Sequence, residues 1–169
     1  MASIFTKMMD GEMPAHFVWK DDVCVAFMTI APLQPGHTLV VPRQEVDSWT
    51  DLEPDVMKHL IGVAHSVGRG LDTAYTPEKV GLTILGLEVR HVHLHVTCIW
   101  KPTDLDFGNA NSNASQESIM EAADFFQAWH APAPVLEAWI LAKIRKPPRE
   151  PGYFIRKQVQ RKAYTLALT

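Results

Sequence analysis

The sequence predicts an α+β domain in which short strands outnumber helices. Three observations carry that reading: an alternation of histidine and apolar residues over 91–98, an apolar stripe at helical spacing from Val56 to Leu71, and two apolar runs about a turn over 16–28. With 169 residues the chain is long enough to bury a core without disulfides.

Along the chain, Gly11-Glu12-Met13-Pro14-Ala15 reads as a turn, and His16–Trp19 and Val23–Met28 flank Lys20-Asp21-Asp22 as a β-hairpin. Ile30–Gly36 holds two prolines and a glycine and cannot form a regular element, so a loop delivers His37 to the start of a strand ending at Pro42. Thr50 or Asp51 caps a central helix carrying Val56, Leu60, Val63, Ala64, Val67 and Leu71 on one face, and the glycines at 68 and 70 place its end near Gly70. Val80–Leu85 is the next strand, Gly86 a turn, and Val89–Trp100 the histidine strand. After a polar loop, Asn113 or Ser115 caps a C-terminal helix with Ile119, Ala123, Phe126 and His130 at helical spacing, stopped by Pro132. The domain is therefore expected over 1–130, with a short extra helix in 131–144 and a basic, proline-containing, disordered tail over 145–169.

Charge is divided unevenly. Residues 1–144 carry nine Lys and Arg against eighteen Asp and Glu, a balance of −9, whereas residues 145–169 carry seven against one, a balance of +6. An acidic body argues against a broad face for a nucleic acid polymer, so none is expected as a partner. Cys24 and Cys98 both sit inside apolar runs and read as buried free thiols, which points to a reducing, cytoplasmic setting. Residues 1–12 lack the charged-then-apolar order of a signal peptide, and no run approaches the roughly 20 apolar residues of a membrane span.

The chemistry concentrates in His91-Val92-His93-Leu94-His95-Val96. On a strand, His91, His93, His95 and Thr97 share one face, while Val92, Leu94, Val96 and Cys98 point to the core. Same-face imidazoles can converge on a transition metal, with His37 or Glu88 as a further ligand. Alternatively, one neutral imidazole attacks phosphorus while its neighbours hold hydrogen bonds, and crowding keeps at least one ring uncharged at neutral pH.

Four motifs occur in order: Gly11–Ala15, Ala26-Phe27-Met28-Thr29-Ile30-Ala31-Pro32, Pro35-Gly36-His37-Thr38-Leu39-Val40-Val41-Pro42, and His91–Thr97. Together they resemble the histidine triad (HIT) family of nucleotide-binding hydrolases and transferases, across about residues 3–130. The resemblance implies a HIT-like fold with a five-stranded antiparallel sheet, a central and a C-terminal helix, and a homodimer whose sheets join across the two-fold axis. It also implies cleavage of a nucleoside phosphoramidate or related nucleoside phosphate derivative at the α-phosphorus, with no metal or other cofactor. His93 would be the nucleophile, His95 would contact the phosphate or departing group, and His91 would orient the cluster. His37, Phe27, Thr29, Ile30, Phe5 and Glu88 would line the nucleotide site. Rival readings are a dinucleoside polyphosphate hydrolase and a nucleotide-binding module with little turnover.

The chain departs from that family at informative positions. Thr29 stands where many relatives carry Asp to hold the ribose hydroxyls, and Leu87-Glu88 stands where many carry Gln and then Ser or Thr. Glu88 reads in three ways: a partner to an imidazole, a contact for a cationic leaving group, or a surface carboxylate paired with Arg90 or with solvent. Ser3-Ile4-Phe5-Thr6 occupies the place of a Cys-x-x-Cys zinc pair found in some branches, and both thiols are missing.

Overall fold

The computed structural model describes residues 2–130. The expected extra helix in 131–144 and the tail over 145–169 lie outside them. Five strands, β1 (Phe17–Lys20), β2 (Cys24–Met28), β3 (Thr38–Pro42), β4 (Lys79–Ile84) and β5 (Leu94–Ile99), form one antiparallel sheet in the order β1-β2-β3-β5-β4. The expected hairpin is β1 and β2, with Lys20 opposite Val25.

Alternation along the strands sends side chains to two apolar layers. Ala26, Val40, Leu94, Val96 and Cys98 pack against α2 (Pro54–Tyr75) and α3 (Gln116–His130). Val25, Phe27, Leu39 and Val41 face the opposite side, beneath Phe5, Met8 and Met9 of a short α1 (Ile4–Met9). The α2 stripe behaves as its spacing predicts, with Leu60, Val63, Ala64, Val67 and Leu71 all buried. Each large aliphatic chain so removed from water contributes about 1.5–3 kcal/mol.

One element and three boundaries depart most from the sequence reading, each for a local reason. The α1 helix was not expected, because six residues are too few to show a period. Its signal is Ser3, whose side chain accepts a hydrogen bond from Thr6 N and caps the first turn. The central helix starts at Pro54 rather than after a Thr50 or Asp51 cap; residues Trp49–Asp51 form a separate 3₁₀ turn in which Thr50 Oγ1 contacts Ser48 Oγ at 2.7 Å. Proline suits the first helical position because no N–H is needed there. The helix also runs five residues past Gly70 and ends at Thr76, which is left-handed with φ 46° and precedes Pro77. Gly70 serves packing instead of termination, since a Cβ there would lie 2.4 Å from Phe126 Cε1 of α3.

The histidine strand begins at Leu94 rather than Val89. Where β3 ends, the Pro42 carbonyl is taken by the His91 ring at 2.8 Å, and the His91 carbonyl by the His93 ring at 2.7 Å. Side chains thus replace part of a backbone ladder. Of the two expected caps for α3, Ser115 serves, its Oγ accepting from Ser118 N at 3.2 Å, while Asn113 N bonds back to Asn111 Oδ1. Both cysteines are free and buried. Among the described residues, no helix is long and apolar enough to cross a membrane.

Candidate active site

Strand register brings the histidines together. His37 immediately precedes β3, and Leu39 pairs with His95 across β3 and β5, so the His37 ring reaches His95 Nδ1 with its Nε2 at 3.0 Å. The His93 and His95 ring centroids are 4.8 Å apart, and α1 lays Phe5 edge-on against His93 at 5.0 Å.

Each ring's proton follows from its partner. The Leu33 backbone N–H donates to His37 Nδ1 at 3.0 Å, so the His37 proton sits on Nε2 and is donated to His95 Nδ1. A neutral His95 must then carry its own proton on Nε2. His93 Nδ1 lies 2.7 Å from the His91 carbonyl oxygen, which can only accept, so His93 donates from Nδ1 and keeps an unprotonated Nε2. His91 Nε2 donates likewise to the Pro42 carbonyl, which leaves its Nδ1 to accept from Ser3 Oγ at 2.7 Å. Adjacent rings at 93 and 95 therefore offer one lone pair and one N–H.

Burial keeps these rings uncharged. Desolvation, then repulsion from His93, lowers His37 to about 4, and desolvation followed by repulsion from His37 and His93 lowers His95 to about 3. His93 is also lowered by burial; its hydrogen bond to His91 and the nearby Glu88 carboxylate oppose that shift.

The other expected residues separate by burial. Phe27 is buried between Phe5 at 5.5 Å and Phe17 at 5.8 Å, and forms an apolar floor. Ile30 is 63% exposed. Thr29 Oγ1 accepts from Ala31 N at 3.3 Å and retains a hydroxyl proton to donate. Glu88 is exposed, and Arg90 pairs with Asp47 at 3.5 Å, so of the two partners considered for a surface carboxylate, solvent rather than Arg90 is the one it meets. Sequence reasoning missed Phe107, which meets His95 edge-on at 4.8 Å; its signal was to be the one aromatic in an otherwise polar loop. Glu45, whose Oε2 accepts from Ser3 N and Thr6 Oγ1, was missed as well, because nothing in the sequence ties it to residues about forty positions earlier.

Asp21, Cys24 and His59 gather elsewhere, with potential ligand atoms within 4.8 Å of one another. Asp21 Oδ1 already accepts from Val23 N and Cys24 N, and Oδ2 accepts from Trp19 Nε1 at 2.6 Å and contacts His59 Nε2 at 2.8 Å. Burial opposes ionisation of Asp21, yet those hydrogen bonds prevail and hold it well below the usual carboxylate range. Desolvation, reinforced by Asp21, pushes the Cys24 thiol up to about 12. The cluster is built as a hydrogen-bonded pin between the β1–β2 turn and α2.

The family model for the HIT domain matches residues 10–98. An uncharacterized HIT-like protein of Borreliella burgdorferi is 30% identical over 126 residues, which cover 70% of this chain and 91% of the relative. The chain belongs to the histidine triad family. Among solved structures, this histidine triad protein is similar to a Zn-bound family member from Mycobacterium smegmatis, with TM-score 0.65 and 21% identity over 85% of this chain and 99% of that one. It is also similar to a HIT family hydrolase from Legionella pneumophila, with TM-score 0.50 and 26% identity over 56% and 90% of the respective chains. These neighbours share its five-stranded antiparallel α+β fold.

Proposed function

We propose that this histidine triad protein hydrolyses nucleoside phosphoramidates and related nucleoside phosphate derivatives at the α-phosphorus through His93. The supporting observation is the pair of assigned tautomers: His93 with Nε2 unprotonated, and its neighbour His95 with Nε2–H, both held by fixed partners. His93 Nε2 attacks phosphorus, and the bond to the leaving group breaks with its electron pair. His95 Nε2–H donates a hydrogen bond to charge developing at the phosphate or departing atom. The leaving nitrogen takes a proton from water as its bond to phosphorus breaks, so it departs as a neutral amine and leaves hydroxide behind. That hydroxide then cleaves the phosphorus–Nε2 bond, releasing the nucleoside monophosphate and restoring His93.

Glu88 favours phosphoramidates over dinucleoside polyphosphates. Its exposed carboxylate acts electrostatically on His93, so it attracts a cationic amine and repels additional phosphates. The same reading includes a homodimer through the free edge of β4, where Leu82 and the following Leu85 are exposed.

The test is incubation of purified protein with adenosine 5′-phosphoramidate and with a diadenosine polyphosphate, beside His93→Ala. The expected result is phosphoramidate turnover and trapping of a nucleotidyl-His93. Turnover unaffected by His93→Ala removes the nucleophile. Nucleotide binding without turnover of either substrate makes the protein a binding module.

A further inference from the structure

Ser3, Thr6 and Glu45 form a hydrogen-bonded group that meets the histidine cluster at His91. Ser3 Oγ contacts His91 Nδ1 at 2.7 Å and accepts from Thr6 N at 3.1 Å. Thr6 Oγ1 donates to Glu45 Oε2 at 2.7 Å, and Ser3 N donates to the same oxygen at 3.0 Å. His91 is fully buried, and its other ring nitrogen is held by the Pro42 carbonyl.

We propose that Ser3, Thr6 and Glu45 are positioning residues for the nucleophile: they hold the His91 ring, and with it the His91 carbonyl that keeps His93 in its Nδ1–H tautomer.

Proton accounting supports this. Pro42 has no proton to give from its carbonyl, so His91 donates from Nε2, and the neutral ring accepts at Nδ1. Ser3 supplies the donor there with its single hydroxyl proton, and its lone pair remains for Thr6 N. Thr6, with its amide already committed to Ser3, spends its hydroxyl proton on Glu45. Every donor in the group therefore has one acceptor: Ser3 Oγ donates to His91, and Ser3 N and Thr6 Oγ1 donate to Glu45. Ser3 N and Thr6 Oγ1 in turn hold the Glu45 carboxyl below its ordinary value, the Ser3 backbone bond first and the Thr6 hydroxyl second, so Glu45 accepts as a carboxylate.

The consequence falls on His93. An unconstrained neutral imidazole favours the Nε2–H form, in which the attacking lone pair is absent. The His91 carbonyl at 2.7 Å reverses that preference only while it stays in line with His93 Nδ1. The same α1 turn that carries Ser3 also presses Phe5 against both rings, with centroids 5.8 Å from His91 and 5.0 Å from His93. Anchoring α1 at Glu45 therefore restrains the nucleophile from two directions.

The kinetic arm of the test rests on the proposed hydrolase activity, whereas the spectroscopic arm does not. Full-length protein with ¹⁵N-labelled histidine, free of ligand, reports the ring tautomers. Wild type is expected to show His93 as one species protonated at Nδ1. Ser3→Ala is expected to give a mixture, to lower kcat on adenosine 5′-phosphoramidate about fivefold, in line with the lost competent fraction, and to leave KM within about twofold. Ser3→Thr, which keeps the hydroxyl, is expected to restore both signals. Glu45→Ala, at an exposed position, provides the same readings if Ser3→Ala does not fold. A folded Ser3→Ala or Glu45→Ala protein with the wild-type His93 spectrum overturns the proposal, and so does a loss of kcat with unchanged tautomers. Absence of turnover in wild type counts against the hydrolase reading, and the spectra still decide this one.

Discussion

Acid should destabilise this protein through His37, and the size of the effect follows from its surroundings. The ring is buried, accepts from Leu33 N and donates to His95, so protonating it places a charge where water cannot solvate it and sets the new Nδ1–H against the Leu33 N–H. Its pKa falls from 6.5 to about 4 on folding. A lowered folded-state value means that the unfolded chain binds the proton first. The stabilisation is therefore complete above pH 6.5 and is lost as pH falls toward and through 4. At about 1.36 kcal/mol per pKa unit, the full interval is worth about 3 kcal/mol, of which about 2 kcal/mol is gone by pH 5. His95 titrates with it as a coupled pair and, being more exposed, adds less. The assay is urea unfolding at pH 7.5, 6.5, 5.5 and 5.0 for wild type and His37→Gln, whose amide can still accept from Leu33 and donate to His95 without gaining charge. Wild type should lose about 2 kcal/mol more than His37→Gln across that range. Parallel stability profiles for the two proteins would falsify the electrostatic account of His37.

Three further outcomes are expected. Glu88→Ser should raise turnover of a diadenosine polyphosphate by about tenfold and lower that of a phosphoramidate with a cationic amine, as charge repulsion and attraction are both removed; steady-state kinetics on the two substrates checks this, and parallel changes in both would deny Glu88 a role in selection. Gly70→Ala should destabilise the fold by about 1–3 kcal/mol, because its methyl group meets Phe126 Cε1 at 2.4 Å in a site where Phe126 is fully buried; thermal denaturation measures it, and an unchanged midpoint would mean that α2 and α3 separate freely. Leu82→Lys, on the exposed edge strand, should convert a dimer to a monomer in analytical ultracentrifugation without unfolding it; a wild-type sedimentation profile would remove β4 from the interface.

Much of the fold was legible because it depends on short periods. The α2 stripe from Leu60 to Leu71 and the inward set Leu94, Val96 and Cys98 were readable from spacing, and both are core. Boundaries were less legible where a tertiary contact replaced a local rule. Gly70 looked like a helix stop, but it is the place where Phe126, 56 positions later, comes against α2. The α1 helix is too short to show periodicity, so its Ser3 cap was readable only as a missing thiol. Leu94 starts the ladder because imidazoles, not backbone amides, take the Pro42 and His91 carbonyls.

The sequence by itself determined that three imidazoles alternate with core residues and that a loop delivers His37 to the start of a strand; the pairing of Leu39 with His95 is what sets that ring beside the others. Alternation is a property of the chain's own geometry, so consecutive residues suffice to establish it. Only the tertiary structure decided which nitrogen of each ring carries the proton. That choice belongs to Leu33 N, the Pro42 carbonyl and Ser3 Oγ, groups brought to the rings by folding, in two cases from 49 and 88 positions away from His91. An isolated histidine ring prefers the Nε2–H tautomer only modestly, and a fixed partner at hydrogen-bonding distance is enough to reverse that preference.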